Sequence, residues 1–188
     1  MRVLILFSTT EGHTRKLAQF AAAQLTRRGY EVRVHDTVQP NLPDLAGFDV
    51  ALLMASVHVG HYQHSFIESV RKNHDALNAM PSAFVSVSLS AAGDNPSDLA
   101  GLRDCVEHLE RDTLWHSVAV HHAAGAMLFS AYGFLTKLAI KFIARRRDTI
   151  VKTSQDYDLT DYAALGTFID RFVVRAISST RKPVARAQ

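Results

Sequence analysis

Five short apolar runs recur along the chain, and between them apolar residues return at helical spacing. The first run, Val3-Leu4-Ile5-Leu6-Phe7, has no polar interruption, the pattern of a parallel strand buried on both faces. It predicts a strand over 2–7. Leu17, Phe20, Ala21 and Leu25 follow at helical spacing and predict a helix over 13–28, closed by Gly29. Residues 31–35 read as a short, partly polar strand and 41–48 as a loop. A buried strand over 50–55, a helix over 63–77, a strand over 83–89 and a helix over 98–111 come next, the last with Ser97 as its N-cap. A fifth strand starts over 118–122, and the final helix runs over 162–177 behind a capping Thr160. Strands alternating with helices predict an α/β fold, a doubly wound parallel sheet of five strands. One domain would span 1–177, and 178–188 reads as a basic, disordered tail.

In such a sheet the loops after strands one, three and four converge on one edge. The first loop crowds Ser8, Thr9, Thr10 and Thr14 around Gly12, with His13 between. Free backbone N–H groups and the helix dipole at that turn suit an anion; a helix cap that binds nothing is the plainer alternative. The stretch lacks GxxxxGK[ST] and GxGxxG, which turns the reading away from nucleoside triphosphates and dinucleotides. What remains is a set of neutral donors for one terminal phosphate. The second loop carries Ser56, Val57, His58, Gly60, His61 and Tyr62, and the third carries Ser88, Leu89, Ser90 and Ala91. Tyr62, His58 and His61 could lie against a flat ligand, and Gly60 would let backbone come close. A polar loop whose tyrosine caps the core is the alternative.

Composition narrows the classes. A chain of 188 residues that is 47% hydrophobic and 21% charged is an ordinary globular chain. The single cysteine, Cys105, excludes an internal disulfide and a cysteine-rich metal site. The ten histidines are scattered, without HExxH or a comparable ligand spacing, so no metal is expected. Met1-Arg2 before a short strand does not read as a signal peptide, and a cytoplasmic protein is expected. Charge is uneven: residues 1–136 hold 10 Lys+Arg against 13 Asp+Glu, whereas 137–188 hold 11 against 5. A basic end implies an anionic partner. Its basic residues flank apolar helix rather than exposed aromatics, favouring a membrane surface over nucleic acid.

The hydroxyl-rich first loop resembles that of the flavodoxin family, whose loop holds the phosphate of flavin mononucleotide (FMN) and whose strand order is 2-1-3-4-5. "LILFSTTEGHTRKLA", "ASVHVGHYQHSF" and "NAMPSAFVSVSL" together look like the menaquinone-dependent protoporphyrinogen IX dehydrogenases of bacterial haem biosynthesis. "GHY" followed by "MPSAF" is the most specific part. The resemblance implies FMN held by the three loops, protoporphyrinogen IX as electron donor and a membrane quinone, menaquinone or ubiquinone, as acceptor. His58 and His61 are the candidates for proton transfer. An electron-carrier flavodoxin and an NAD(P)H-quinone reductase are the alternatives. The third loop, Ser-Ala-Ala-Gly-Asp, is poorer in lysine and arginine than the family's version.

The family also carries an insertion near the last strand, matched here by 126–147, "AMLFSAYGFLTKLAIKFIARRR". Its uncharged stretch is shorter than the roughly 20 residues that span a bilayer. Phe134, Leu135, Leu138, Ala139 and Phe142 share one arc of a helical wheel, beside Lys137 and Lys141, and Arg145 follows. That is the layout of an amphipathic helix lying on an anionic lipid surface at the inner face of the cytoplasmic membrane; a helix covering the sheet is the alternative. Lys137, Lys141 and Arg145 would meet substrate carboxylates or lipid phosphates. Homo-oligomerisation is open.

Overall fold

The computed structural model describes residues 1–127 and 157–180. Its elements run β1 (Arg2–Ser8), α1 (His13–Arg27), β2 (Glu31–Asp36), β3 (Val50–Ser56), α2 (His64–Lys72), α3 (His74–Asn78), β4 (Ser82–Ser88), α4 (Pro96–Thr113), β5 (Ala119–Ala124), β6 (Ala126–Met127), β7 (Tyr157–Asp158) and α5 (Tyr162–Thr180). The five long strands form one parallel sheet in the order β2-β1-β3-β4-β5, as expected from the sequence. One row across it reads Val34, Ile5, Leu52, Ala83, Ala119.

Alternation along each strand divides the core into two layers. Val3, Ile5, Phe7, Leu52, Met54 and Val85 face α1 and α5, which contribute Leu17, Ala21, Leu25, Leu165, Ile169 and Phe172. Leu4, Leu6, Leu53 and Phe84 face the other way, toward Tyr62, Phe66, Val70, Leu109 and Trp115. The first layer is mainly aliphatic. The second is built around aromatic rings, with Phe84 5.2 Å from Tyr62, 5.8 Å from Phe66 and 5.7 Å from Trp115. Each polar tip in it is paired: the Trp115 indole N–H donates to Ser82 Oγ at 2.8 Å, and Tyr62 and Ser86 share a hydroxyl bond of 2.8 Å.

Three expectations need correction. The helix over 63–77 is broken into α2 and α3 at Asn73, whose side-chain amide donates to the Ser69 carbonyl at 2.7 Å and whose φ is −121°. Local side-chain bonding of this kind competes with helix continuation. Helix α4 starts earlier than Ser97 implied: Asn95 accepts from the Ser97 N–H at 2.9 Å, and Pro96 occupies the first turn. Thr160 does not cap α5. Asp161 does, accepting from the Ala164 N–H at 2.8 Å.

A two-residue antiparallel ribbon, not foreseen, pairs Ala126 with Asp158 and Met127 with Tyr157. The expected insertion helix over 126–147 is described only at Ala126-Met127; its remainder, with Lys137, Lys141 and Arg145, lies outside the described residues. Of the tail expected over 178–188, Ser178–Thr180 belong to α5 and the rest lies outside as well.

Candidate functional site

Helix α1 packs on one face of the sheet and α2 on the other, so the chain changes face between the neighbouring strands β1 and β3. A crevice opens at the carboxyl ends of strands at such a point. Here it is lined by Thr9, Glu11, His13 and Thr14 from the first loop, Ser56 to Val59 from the second, Val87 to Leu89 from the third, and Gly125-Ala126 beyond β5. The structure thus brings Thr9, His13, Thr14, Ser56, Val57, His58, Ser88 and Leu89 together on one cleft. Ser8, Thr10, Gly12, Gly60, His61, Tyr62, Ser90 and Ala91 are not on its wall.

The first loop leaves hydrogen-bond donors unpaired. Gly12 sits at φ 88° as the N-cap of α1, and no side chain caps that helix, leaving its first N–H groups free. Thr9 Oγ1 accepts from the Gly12 N–H at 2.9 Å, so its own proton stays available. Ser8 and Thr14 are both 0% exposed. Neither hydroxyl has a hydrogen-bond partner among the described residues. A buried unpaired hydroxyl is costly unless something completes it. Thr10, by contrast, accepts from Gln63 Nε2 at 3.0 Å, and the same amide donates to Ser56 Oγ at 2.6 Å. Gln63 therefore ties the first loop to the second.

The second loop is a hairpin closed by paired backbone bonds between His58 and His61, of 2.8 and 3.0 Å. Its tip, Val59-Gly60, has φ of 51° and 81°. Positive φ suits Gly60 but is rare for a β-branched residue, and Val59 is 71% exposed beside the cleft. Tyr62 lies 6% exposed in the aromatic layer, and burial pushes its phenol well above its usual range. The ring that sequence reasoning set beside a flat ligand is packed under the loop. Cys105 donates its thiol to the Gly60 carbonyl at 3.4 Å, and burial raises its pKa, which suits packing rather than reactivity.

Charge in the cleft is modest. Burial raises the Glu11 pKa, and the nearby His58 opposes this in part. Burial lowers that of His13, with Lys16 adding to the effect and Asp158 working against it. Asp158 is itself held far below the usual carboxylate range: burial pushes it up, but bonds from Lys16, Tyr162 and Thr160 outweigh that. Among the described residues no group of three His, Cys, Asp or Glu could hold a metal.

Sequence reasoning missed Glu11, Val59 and Gln63, and no motif would have found them. Glu11 could have been suspected as the one charge in a hydroxyl-rich turn.

A family model described as a flavodoxin domain matches residues 4–155. A protein from Leishmania major named protoporphyrinogen IX dehydrogenase (quinone) is 31% identical over 186 residues, covering 98% of this chain and 80% of its own. One of the same name from Escherichia coli (strain K12) is 29% identical over 168 residues, 89% of this chain and 92% of its own. Among solved structures, a short-chain flavodoxin associated with a bacterial microcompartment superposes with a TM-score of 0.57 at 12% identity, over 94% of this chain and 99% of that one. That likeness concerns the fold.

Proposed function

The chain belongs to the flavodoxin domain family, and from that premise we propose that it is an FMN-dependent oxidoreductase that takes electrons from protoporphyrinogen IX and delivers them to a membrane quinone, menaquinone or ubiquinone. The names of its relatives support the substrate pair. The observation that carries the cofactor is the buried, unpartnered hydroxyl of Thr14 on the cleft wall, beside an uncapped helix N-terminus. These groups fit a phosphate monoester. Thr9, with its free hydroxyl proton, and the backbone of 9–14 would hold it with them.

When bound, the flavin supplies the two-electron redox chemistry, and the protein supplies position and electrostatics. Complete oxidation of the porphyrinogen releases six electrons and six protons in three two-electron steps, so three quinones become quinols. His58 on the cleft wall would accept a proton from substrate. We assign the protein to the cytoplasmic side of the membrane as a peripheral enzyme, with residues 126–147, through Lys137, Lys141 and Arg145, meeting anionic lipid and homo-oligomers open to test. Among the described residues no helix is long and apolar enough to cross a bilayer.

An anaerobic assay tests the reading. Holoprotein, protoporphyrinogen and quinone together should yield fluorescent protoporphyrin, and omission of quinone should stop it after stoichiometric turnover. Quinone reduction by NADPH without porphyrinogen would favour the reductase alternative. Absence of both would favour an electron carrier.

A further inference from the structure

His13 sits on the cleft wall with its side chain 11% exposed, and its partner comes from the far end of the chain. Its Nε2 lies 2.8 Å from Thr160 Oγ1. Thr160 Oγ1 in turn donates to the Ala124 carbonyl at 2.7 Å. A hydroxyl has one proton, and a carbonyl can only accept, so that proton is spent on Ala124. Toward His13 the hydroxyl must therefore accept, which places the imidazole proton on Nε2. The carboxylate of Asp158, 3.7 Å from the same nitrogen, favours this arrangement. Asp158 is itself fixed by Lys16 Nζ and the Tyr162 hydroxyl, each at 2.7 Å, and by the Thr160 N–H at 3.1 Å. Every one of these contacts fixes one tautomer of a ring that lines the cleft.

We propose that Thr160 is a positioning residue that locks His13 as the Nε2–H tautomer, so that Nδ1 accepts a hydrogen bond from a hydroxyl of the flavin's polyol chain rather than meeting its phosphate. The logic is one of matching polarity. A phosphate dianion has no proton to give and would face a lone pair, whereas each hydroxyl of a sugar-alcohol chain can donate. Thr9 and Thr14 supply donors for the phosphate, and His13 supplies the acceptor for the neighbouring part of the same ligand. Burial lowers the pKa of the ring, in the direction this role needs. The inference rests on the flavin-binding reading above.

FMN and riboflavin share the polyol and differ in the phosphate, so the pair separates the two contacts. Titration of the full-length flavin-free protein by fluorescence quenching should show Thr160→Val weakening both flavins by the same factor, about five- to tenfold, the range for one lost hydrogen bond. Thr160→Ser, which keeps the hydroxyl, should restore both. Long-range nitrogen–proton NMR of His13 should show the Nε2–H tautomer in the wild type and in Thr160→Ser, and a mixture of tautomers in Thr160→Val. A loss confined to FMN would place His13 on the phosphate and overturn the proposal. An unchanged tautomer and equal affinities in all three proteins would overturn it alone. No flavin binding by the wild type would overturn it together with the function reading. Thermal melts of both variants show whether Thr160→Val is folded; if it is not, the wild-type tautomer decides, an Nδ1–H ring overturning the proposal.

Discussion

The first and second loops line one cleft, yet their hydroxyls are placed differently. In the second the hydroxyls are engaged, Tyr62 with Ser86 and Ser56 with Gln63, although Gln63 Oε1 is itself buried without a partner among the described residues and α2 also starts without a side-chain cap. In the first, two hydroxyls are buried with no partner among the described residues and a helix starts without a side-chain cap. A folded chain seldom leaves such groups unpaired. The difference lies in the hydroxyls: those of Ser56 and Tyr62 are paired, whereas those of Ser8 and Thr14 are not.

Tyr62→Ala should give the largest effect, because it empties a ring-sized space between Phe66 and Phe84 and strands Ser86. A loss of about 3–5 kcal/mol in denaturant unfolding is expected, the range for deleting a buried aromatic. A flavin spectrum that shifts while stability holds would put the ring on the ligand and collapse the distinction. Thr14→Val comes next and should act on binding alone. FMN affinity should fall by about 1.5–3 kcal/mol, the worth of a hydrogen bond to a charged acceptor, while the melting temperature stays level or rises as an unpaired hydroxyl leaves the interior. Thr10→Val, whose hydroxyl is engaged by Gln63, should cost far less affinity; a Thr10 effect as large as that of Thr14 would refute the division within the loop.

Acid should weaken the fold by a smaller amount. His13, His121 and His122 all have pKa values lowered from 6.5, chiefly by burial. The unfolded chain therefore takes up protons first as pH falls. Stability from these three is fully present above the ordinary histidine value and is lost as pH drops through it toward their lower folded values. Melting temperatures measured between pH 7.5 and 5 should decline, with His13→Asn flattening the decline and thereby reporting on the first loop alone. The smallest change is expected from Val59→Gly at the hairpin tip. Relief of positive φ at a β-branched residue, less the added freedom of glycine in the unfolded chain, should stabilise by about 0.5–1 kcal/mol. A loss instead would mean that the Val59 side chain is held by a contact.

Sequence and structure agree where one rule dominates. Strands β1 and β3 are central, buried on both faces, and so appear as near-continuous apolar runs; the three converging loops follow from the alternation of strands and helices, and the strand order from the family resemblance. Agreement ends where a choice depends on distant partners. Tyr62 follows Gly60-His61 in a loop, and nothing local distinguishes a ring turned to the cleft from one turned to Phe84. Asn73 stops a helix through one bond to Ser69 that apolar periodicity does not encode. Thr160 has the residue type and position of a helix cap, but its hydroxyl goes to Ala124 and His13, more than thirty residues away in the chain. Ser8 and Thr14 were visible as hydroxyls from the first; that they are buried and unpaired was not, because burial belongs to the assembled sheet.

The ribbon of Ala126–Met127 against Tyr157–Asp158 has an evolutionary consequence. It brings the two ends of 128–156 side by side, so the sheet is indifferent to how much chain lies between them. Loop-closure entropy rises only logarithmically, about 0.6 kcal/mol for each doubling of length. The length of chain between Met127 and Tyr157 can thus change at little cost to the five-stranded sheet.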